Sequence, residues 1–505
     1  MRRSPALLLA LILLIIAGAV FAIRVAQPAG ARPVAAVTAV AAATETPGPT
    51  NTPRPSPTAL PATYTPETPE ATPTAGATAR PTSSPTLTPV PSATPSPTRA
   101  VTPTPYATLV NTDFFPTAVP TFARPPNVTN IALLGNDGPF ASSGHTDSII
   151  IVSLNHDLRT ATMLSLPRDI YLPIPGYQMA RINTAMPYGS VADYPGAGGG
   201  MFKDTIAYNF GIPVDYYVRI GFDGFKEVVD LLGGVSVAVT CKVTDWRLIE
   251  PDLDPQVEEN WEMFTLDTGI HHMDGYMALW YARSRRGSSD FDRGRRQQQV
   301  LRAIFNRGLD RDFLSRLPEL WETYQEMVET DMPLTVMLQL ATMAPDVREN
   351  GIQHLYLPPA ALRAWTTPAG GAVQLLQWEA AEPVLAQLMQ PPLLNHATRP
   401  PITVEVVTPH EFTYRLAAEM LAWYGFAPVR GEAEGEIPGR TAVTYFGSSR
   451  KGSFDWLLAW LAGVDAEEIT LEPAGASDYD YRVVLGYNYH PCRSEREAPT
   501  LTGNH

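Results

Sequence analysis

Residues Asn130–Asp169 read NIALLGNDGPFASSGHTDSIIIVSLNHDLRTATMLSLPRD. Three apolar runs stand out: Asn130–Gly135, Ser148–Leu154 and Thr160–Leu166. Their length and near-continuous hydrophobicity are those of strands buried on both faces. Charged or turn residues close each run. Asn136-Asp137-Gly138 follows the first, Asp147 opens the second, and Pro167-Arg168-Asp169 follows the third. Charge gathered at strand ends predicts a sheet edge lined for a site. Asp137 and Asp147 fall at two loop-to-strand junctions. Neighbouring strands lie about 4.8 Å apart, so two such carboxylates can share one divalent cation. The same residues also fit plain turn chemistry, since Asn-Asp-Gly is a good turn by itself.

Working towards the C-terminus, Gly198–Gly211 reads as a flexible glycine run leading into a helix. Tyr216–Ile220 reads as a strand, Phe222–Leu232 as a helix and Val235–Val239 as another strand. Strands alternating with helices predict an α/β layered domain. Lys242–Phe264 is an acidic insertion with Trp246 and Trp261, expected as a lid or surface loop. A helix over about Asp274–Ala282 then delivers YARSRRGSSDFDRGRRQQQ, Tyr281–Gln299.

That stretch carries Arg283, Arg285, Arg286, Arg293, Arg295 and Arg296 in a chain of net charge −14. A helix starting near Asp290–Asp292 places Arg293, Arg296, Gln297, Val300, Leu301 and Ile304 on one face. The apolar members mark the core side, so Arg293 and Gln297 point inward while Arg286 and Arg295 are expected to be solvated or paired with acids. Arginine in the first turns opposes the helix dipole unless an anion sits there. Asp290 and Asp292 pairing with the arginines is the alternative reading.

Towards the N-terminus the pattern changes. Arg2 and Arg3 precede an uncharged apolar run, Ala6–Ile23. At ~1.5 Å per residue it spans roughly 27 Å, close to a bilayer core. An uncleaved anchor over residues 1–27 is favoured over a cleaved signal peptide, with the N-terminus in the cytoplasm and the rest outside. Residues 28–126 are dominated by Pro, Thr, Ala and Ser and are expected to be a disordered stalk. The acidic balance argues against nucleic acid as a partner. Of the two cysteines, Cys241 and Cys492, two buried thiols is the plainer reading. A disulfide joining two domains is the alternative in an oxidising compartment.

The segments LLGND (133–137), TDSIIIVSL (146–154), SLPRDIYLPIPG (165–176), RINTAMPYG (181–189), YYVRIGFDGFKEVVDLLGGV (216–235), MDGYMALWYARSR (273–285) and DFDRGRRQQQV (290–300) resemble, in order and spacing, the LytR-CpsA-Psr family of envelope proteins. Residues 401–491 resemble more loosely the small α/β accessory domain often attached to it. The resemblance implies a central sheet flanked by helices over 127–395, an accessory domain over 400–492 and a tail over 493–505. It also implies an apolar pocket for a polyprenyl lipid, for which MFKDTIAYNF and LLQWEAAEPVLAQLM carry candidate linings, although core packing explains them equally.

The implied activity is Mg²⁺- or Mn²⁺-dependent transfer of a glycopolymer from a polyprenyl-pyrophosphate carrier to peptidoglycan. A polyprenyl-pyrophosphate phosphatase and a non-catalytic lipid-binding or regulatory protein are the alternatives. Carried over by motif, Asp137 and Asp147 would hold the metal. Arg168, Arg283, Arg285, Arg293 and Gln297, with His145 as a weaker anchor when protonated, would grip the pyrophosphate, and Asp169 and Asp290 would orient the arginines or act as base. Two departures are visible. His145 stands where the family pattern has arginine, and Asp292 stands where it has glycine, adding negative charge beside the expected site.

Overall fold

A computed structural model describes residues 115–137, 144–310, 328–433, 436–447, 454–494 and 498. The expected anchor and the expected stalk up to residue 114 lie outside them. Among the described residues no helix is long and apolar enough to cross a membrane.

Strands β1 (Val128–Asn136), β2 (Thr146–Asn155) and β3 (Thr160–Ser165) form an antiparallel meander. The hairpin of β4 (Tyr171–Pro173) and β5 (Met179–Arg181) precedes helices α1 (Ala185–Val191) and α2 (Ala197–Phe210). β6 (Tyr216–Gly221) pairs parallel with β1 and runs into α3 (Phe222–Leu231). Next come β7 (Val235–Val239), the hairpin of β8 (Val243–Leu248) and β9 (Trp261–Leu266), and β10 (Gly269–Met273), which pairs back on β7. Helices α4 (Gly275–Arg283) and α5 (Asp290–Gly308) follow. After β11 (Val328–Thr330) and α6 (Leu334–Asn350), β12 (Ile352–Tyr356) completes a six-stranded mixed sheet of order β11-β6-β1-β2-β3-β12. The hairpin of β13 (Leu362–Thr366) and β14 (Ala372–Leu376) leads to α7 (Trp378–Leu388).

A second, five-stranded sheet is built from β15 (Thr403–Val407), β16 (Ala427–Gly431), β17 (Ala442–Phe446), β18 (Thr470–Glu472) and β19 (Tyr481–Val484), with α8 (Glu411–Trp423) and α9 (Asp455–Ala462) packed on it.

Side-chain alternation on the six-stranded sheet explains its two layers of helices. From β1, Ala132 and Leu134 join Ile149, Ile151 and Leu164 beneath α1, α2 and α7. Ile131 and Leu133 point the other way with Val152 and Leu154, towards α3, α4, α5 and α6. Near-continuous hydrophobicity in these strands is therefore the consequence of cover on both faces.

Several expectations change. The glycine run is helical and belongs to α2: a Cβ on Gly199 would lie 2.1 Å from the Tyr217 ring and one on Gly198 2.4 Å from the Met186 carbonyl, so small residues let α2 approach its neighbours. The acidic insertion is mostly the β8–β9 hairpin rather than a loop. Residues 115–126, assigned to the stalk, are docked: Val119 and Phe122 donate backbone hydrogen bonds to Tyr208 and Gly211, and Phe122 stacks on Trp378. The cysteines are not two thiols, because Cys241, just after β7, is bonded to Cys492 beyond β19. Cross-linking across so long a loop stabilises mainly by restricting the unfolded chain.

Candidate functional site

Between the sheet and helices α3, α4, α5 and α6 lies a cavity of about 680 Å³. Its body is apolar, with Leu133, Val152, Met163, Val218, Phe225, Leu301, Ile304 and Leu340 among the side chains that form it. Its mouth is polar and brings together Asp147, Arg168, Arg283, Arg285, Arg293 and Gln297. The two helices offered as candidate linings, α2 and α7, lie on the opposite face of the sheet. The cavity is lined instead from α3, α4, α5 and α6, whose sequence pattern is that of ordinary core helices.

Strand register builds half of the mouth. On β2 and β3 Ile150 faces Ser165. Three positions before Ile150 and three after Ser165, the same antiparallel register sets Asp147 opposite Arg168, and the two form an ion pair. Asp169 lies 3.5 Å from Arg168 Nε and 3.3 Å from Arg181 Nε. Burial works against the charge of Arg168, but Asp147, Asp169 and Asp290 outweigh it and raise its pKa above the ordinary arginine value.

Helix α5 builds the other half. Ser289 caps it, accepting from the Asp292 backbone N–H while Asp292 accepts from the Ser289 backbone N–H. A Cβ on Gly294 would meet Ser165 at 3.2 Å, so glycine permits this close approach of helix to sheet. Arg293, only 5% exposed, reaches Asp290 at 2.8 Å. Burial first, then the positive charges of Arg285 and Arg168, lower its pKa to about 10, so it remains a cation at neutral pH. Gln297 Oε1 accepts from Ser148 Oγ at 3.1 Å. The exposed Arg283 carries its guanidinium 4.1 Å over the Phe222 ring, within the field of both Asp147 and Asp137.

Asp137 and His145 stand one pair beyond the strand ends and do not line the cavity. His145 donates its backbone N–H to Asp137 Oδ1 at 2.7 Å. Asp147 Oδ1 is buried and without a hydrogen-bond partner among the described residues. A carboxylate oxygen in that state suits a cation. Among the described residues no group of three or more His, Cys, Asp or Glu side chains is gathered. A Mg²⁺-like ion needs only one or two carboxylates and completes its shell with phosphate oxygens and water, and Asp147 Oδ1 is the carboxylate oxygen that would be open to it.

Three roles differ from expectation. Asp292 is turned into the helix cap and towards Ser494, 3.2 Å away, and not into the mouth. Arg295 is buried, not solvated: it donates to the Arg493 carbonyl and packs against Met420 and Trp423. Arg296 faces the end of α4, where it donates to the carbonyls of Tyr281 and Ser284 and holds the intervening loop. Arg286 is exposed, as its predicted solvation implies.

Two residues escaped the sequence reading. Asp245, on β8, accepts from the backbone N–H groups of Arg285 at 2.7 Å and Arg286 at 3.2 Å and also lines the mouth. Nothing in an acidic insertion singles it out. Arg219, 1% exposed, donates to Glu329 at 3.0 Å and to Asn136 at 2.8 Å beside the end of β1. Its signal was an arginine inside an apolar strand, which must find a partner when buried.

An α-β-α domain holding an apolar cavity with arginines and carboxylates at its mouth is suited to an amphiphile with an anionic head. The chain belongs to the LytR_cpsA_psr family, whose pattern matches residues 116–382, just over half of the chain. It is 34% identical over 207 residues to the polyisoprenyl-teichoic acid–peptidoglycan teichoic acid transferase TagT of Bacillus subtilis, covering 40% of this chain and 57% of that protein. It is 28% identical over 228 residues to the transferase of the same description, TagU, of Bacillus licheniformis, covering 45% and 67%. The regulatory protein MsrR of Staphylococcus aureus is 28% identical over 230 residues, covering 45% and 64%. Among solved structures, TagT bound to LIIa-WTA aligns over 54% of this chain and 95% of its own at 26% identity, with a TM-score of 0.40.

Proposed function

We propose that this protein transfers a glycopolymer from a polyprenyl-pyrophosphate carrier to peptidoglycan or another envelope acceptor, releasing polyprenyl phosphate. One observation carries the reading: a cationic mouth set directly on an apolar cavity large enough for a lipid chain. The isoprenoid occupies the cavity, burying apolar surface that the sheet and helices leave uncovered. Its pyrophosphate lies at the mouth, where Arg168, Arg283, Arg285 and Arg293 neutralise the charge that builds on the leaving lipid phosphate. Asp169 and Asp290 hold Arg168 and Arg293 in place. Asp137 and Asp147 would hold Mg²⁺ or Mn²⁺, which when bound supplies further charge stabilisation to the phosphoryl oxygens. The nucleophile is an acceptor hydroxyl. The relatives named above as transferases support this reading, as does the resemblance over residues 127–308. The disulfide supports an extracytoplasmic domain, and the apolar run Ala6–Ile23 supports a single membrane anchor.

The test uses the full chain with a polyprenyl-pyrophosphate-linked glycan, Mg²⁺ and peptidoglycan. Polyprenyl phosphate released only when the acceptor is present is the expected result. Release at the same rate without acceptor would replace transfer by hydrolysis. Tight lipid binding with no turnover under any condition would leave a binding protein.

A further inference from the structure

A second cavity, of about 490 Å³, opens where α8 of the C-terminal sheet domain meets α5, β7 and β10. Its character is opposite to that of the first. Five arginines (Arg295, Arg302, Arg307, Arg348 and Arg415) line it, against two acids, Asp310 and Glu419. A surplus of three positive charges in one cleft runs against a chain of net charge −14.

The arginines are not equivalent. Arg295 is committed to the Arg493 carbonyl, and Arg307 to the Leu232 carbonyl and to Asp310 at 2.9 Å. For Arg302, Arg348 and Arg415 no carboxylate stands at ion-pair distance among the described residues. Arg302 has the Trp423 ring at 5.5 Å, and burial lowers its pKa against the opposing pull of the Glu419 charge. Arg348 and Arg415 are exposed and come from different domains, one from α6 and one from α8. A guanidinium offers a planar fork of donors that carboxylate or phosphate satisfies better than water does. Three unpaired forks facing one volume, supplied by both domains, make a surface that focuses negative charge.

We infer that this cleft binds an anionic glycan, a chain bearing phosphate or carboxylate groups, at a site separate from the cavity mouth. The inference rests on the glycopolymer reading for the identity of the ligand, though the charge argument stands without it. The polymer of the donor and the strand of the acceptor are both sources of such a chain. Arg302 also lines the apolar cavity, so the cleft lies just across α5 from it.

The experiment measures binding of the full chain to poly(glycerol phosphate), to polygalacturonate and to neutral dextran by titration calorimetry, with no lipid present. Arg348→Glu/Arg415→Glu, both surface changes, is compared with Arg168→Ala/Arg293→Ala at the mouth. One or both polyanions should bind, more weakly as salt rises. The charge reversal should weaken binding at least tenfold, and the mouth variant should retain it. Phosphate polymer bound in preference to uronate would point to a phosphodiester-containing chain. Uronate bound in preference would point to an acidic sugar strand. Dextran binding equal to that of the polyanions, or a charge-reversed protein that binds as wild type does, would overturn the proposal. Because no turnover is measured, this outcome is independent of whether the protein proves to be a transferase.

Discussion

The two faces of the six-stranded sheet carry nearly the same kind of sequence and end in different states. On the face beneath α2 and α7, Phe202, Ile206, Phe210 and Leu385 are each 0% exposed and fill the space between helix and strand. On the other face, Leu133 and Val152 are only half-buried, because α3, α5 and α6 stand away from them around the cavity. A well-packed domain does not leave such a volume open without cost, since every side chain lining a void forfeits contacts. The closed face supplies stability and the hollow face supplies the site.

That contrast can be broken. Phe202→Ala on the closed face should cost about 3–5 kcal/mol, since it removes a buried ring and leaves a void behind. Leu133→Ala on the hollow face should cost only about 1–2 kcal/mol, because its side chain already borders open volume. Denaturant unfolding of the two variants checks this, and equal losses would mean the hollow face is packed after all. Arg293→Ala should lower turnover by about 10²–10³, or roughly 3–4 kcal/mol of transition-state stabilisation, with unfolding little changed. Polyprenyl phosphate release gives the rate, and wild-type turnover would remove Arg293 from the site.

Smaller effects sharpen the same contrast. Val152→Phe adds volume where there is room for it, so it should leave the melting temperature unchanged while weakening polyprenyl phosphate binding about tenfold. A lipid-binding titration on the folded variant distinguishes this from damage to the core. Asp245→Asn should reduce turnover by less, about fivefold or one kcal/mol, by loosening the backbone that carries Arg285. Burial opposes the charge of Asp245, but the N–H groups of Arg285, Arg286 and Trp246 hold its pKa below the ordinary value. A depressed carboxylate stabilises above its unfolded value, about 3.9, and that contribution is lost as pH falls through the folded value. Protection of the Arg285 and Arg286 amides, measured as the observed exchange rate against the intrinsic rate at each pH, should therefore fall in acid in the wild type and be low throughout in Asp245→Asn.

Legibility followed the range of the interactions. Strands β1, β2 and β3 were readable because continuous apolar runs of that length signal burial on both faces. The inward turn of Arg293 and Gln297 followed from helical spacing counted back from Val300 and Ile304. Arg295 was misplaced because its cover comes from Met420, Trp423 and Arg493, far along the chain. Asp292 reads as negative charge beside the site, yet its position three residues after Ser289 makes it the capping partner, which is a local rule. The lining helices are not legible in the sequence, because an amphipathic helix that borders a void and one that packs solidly share the same periodicity.

The layered α/β class, the positive stretch from Arg283 to Arg296 and the carboxylates at the strand ends are already legible in the amino-acid order. All three are fixed by local periodicity and by residues close in sequence. Which face of the sheet is hollow, that Asp147 pairs with Arg168, that Asp245 anchors the arginine loop and that Cys241 meets Cys492 emerge only once the chain is packed. These depend on register and on helix-to-sheet distance, and both are set by the packing of segments many residues apart.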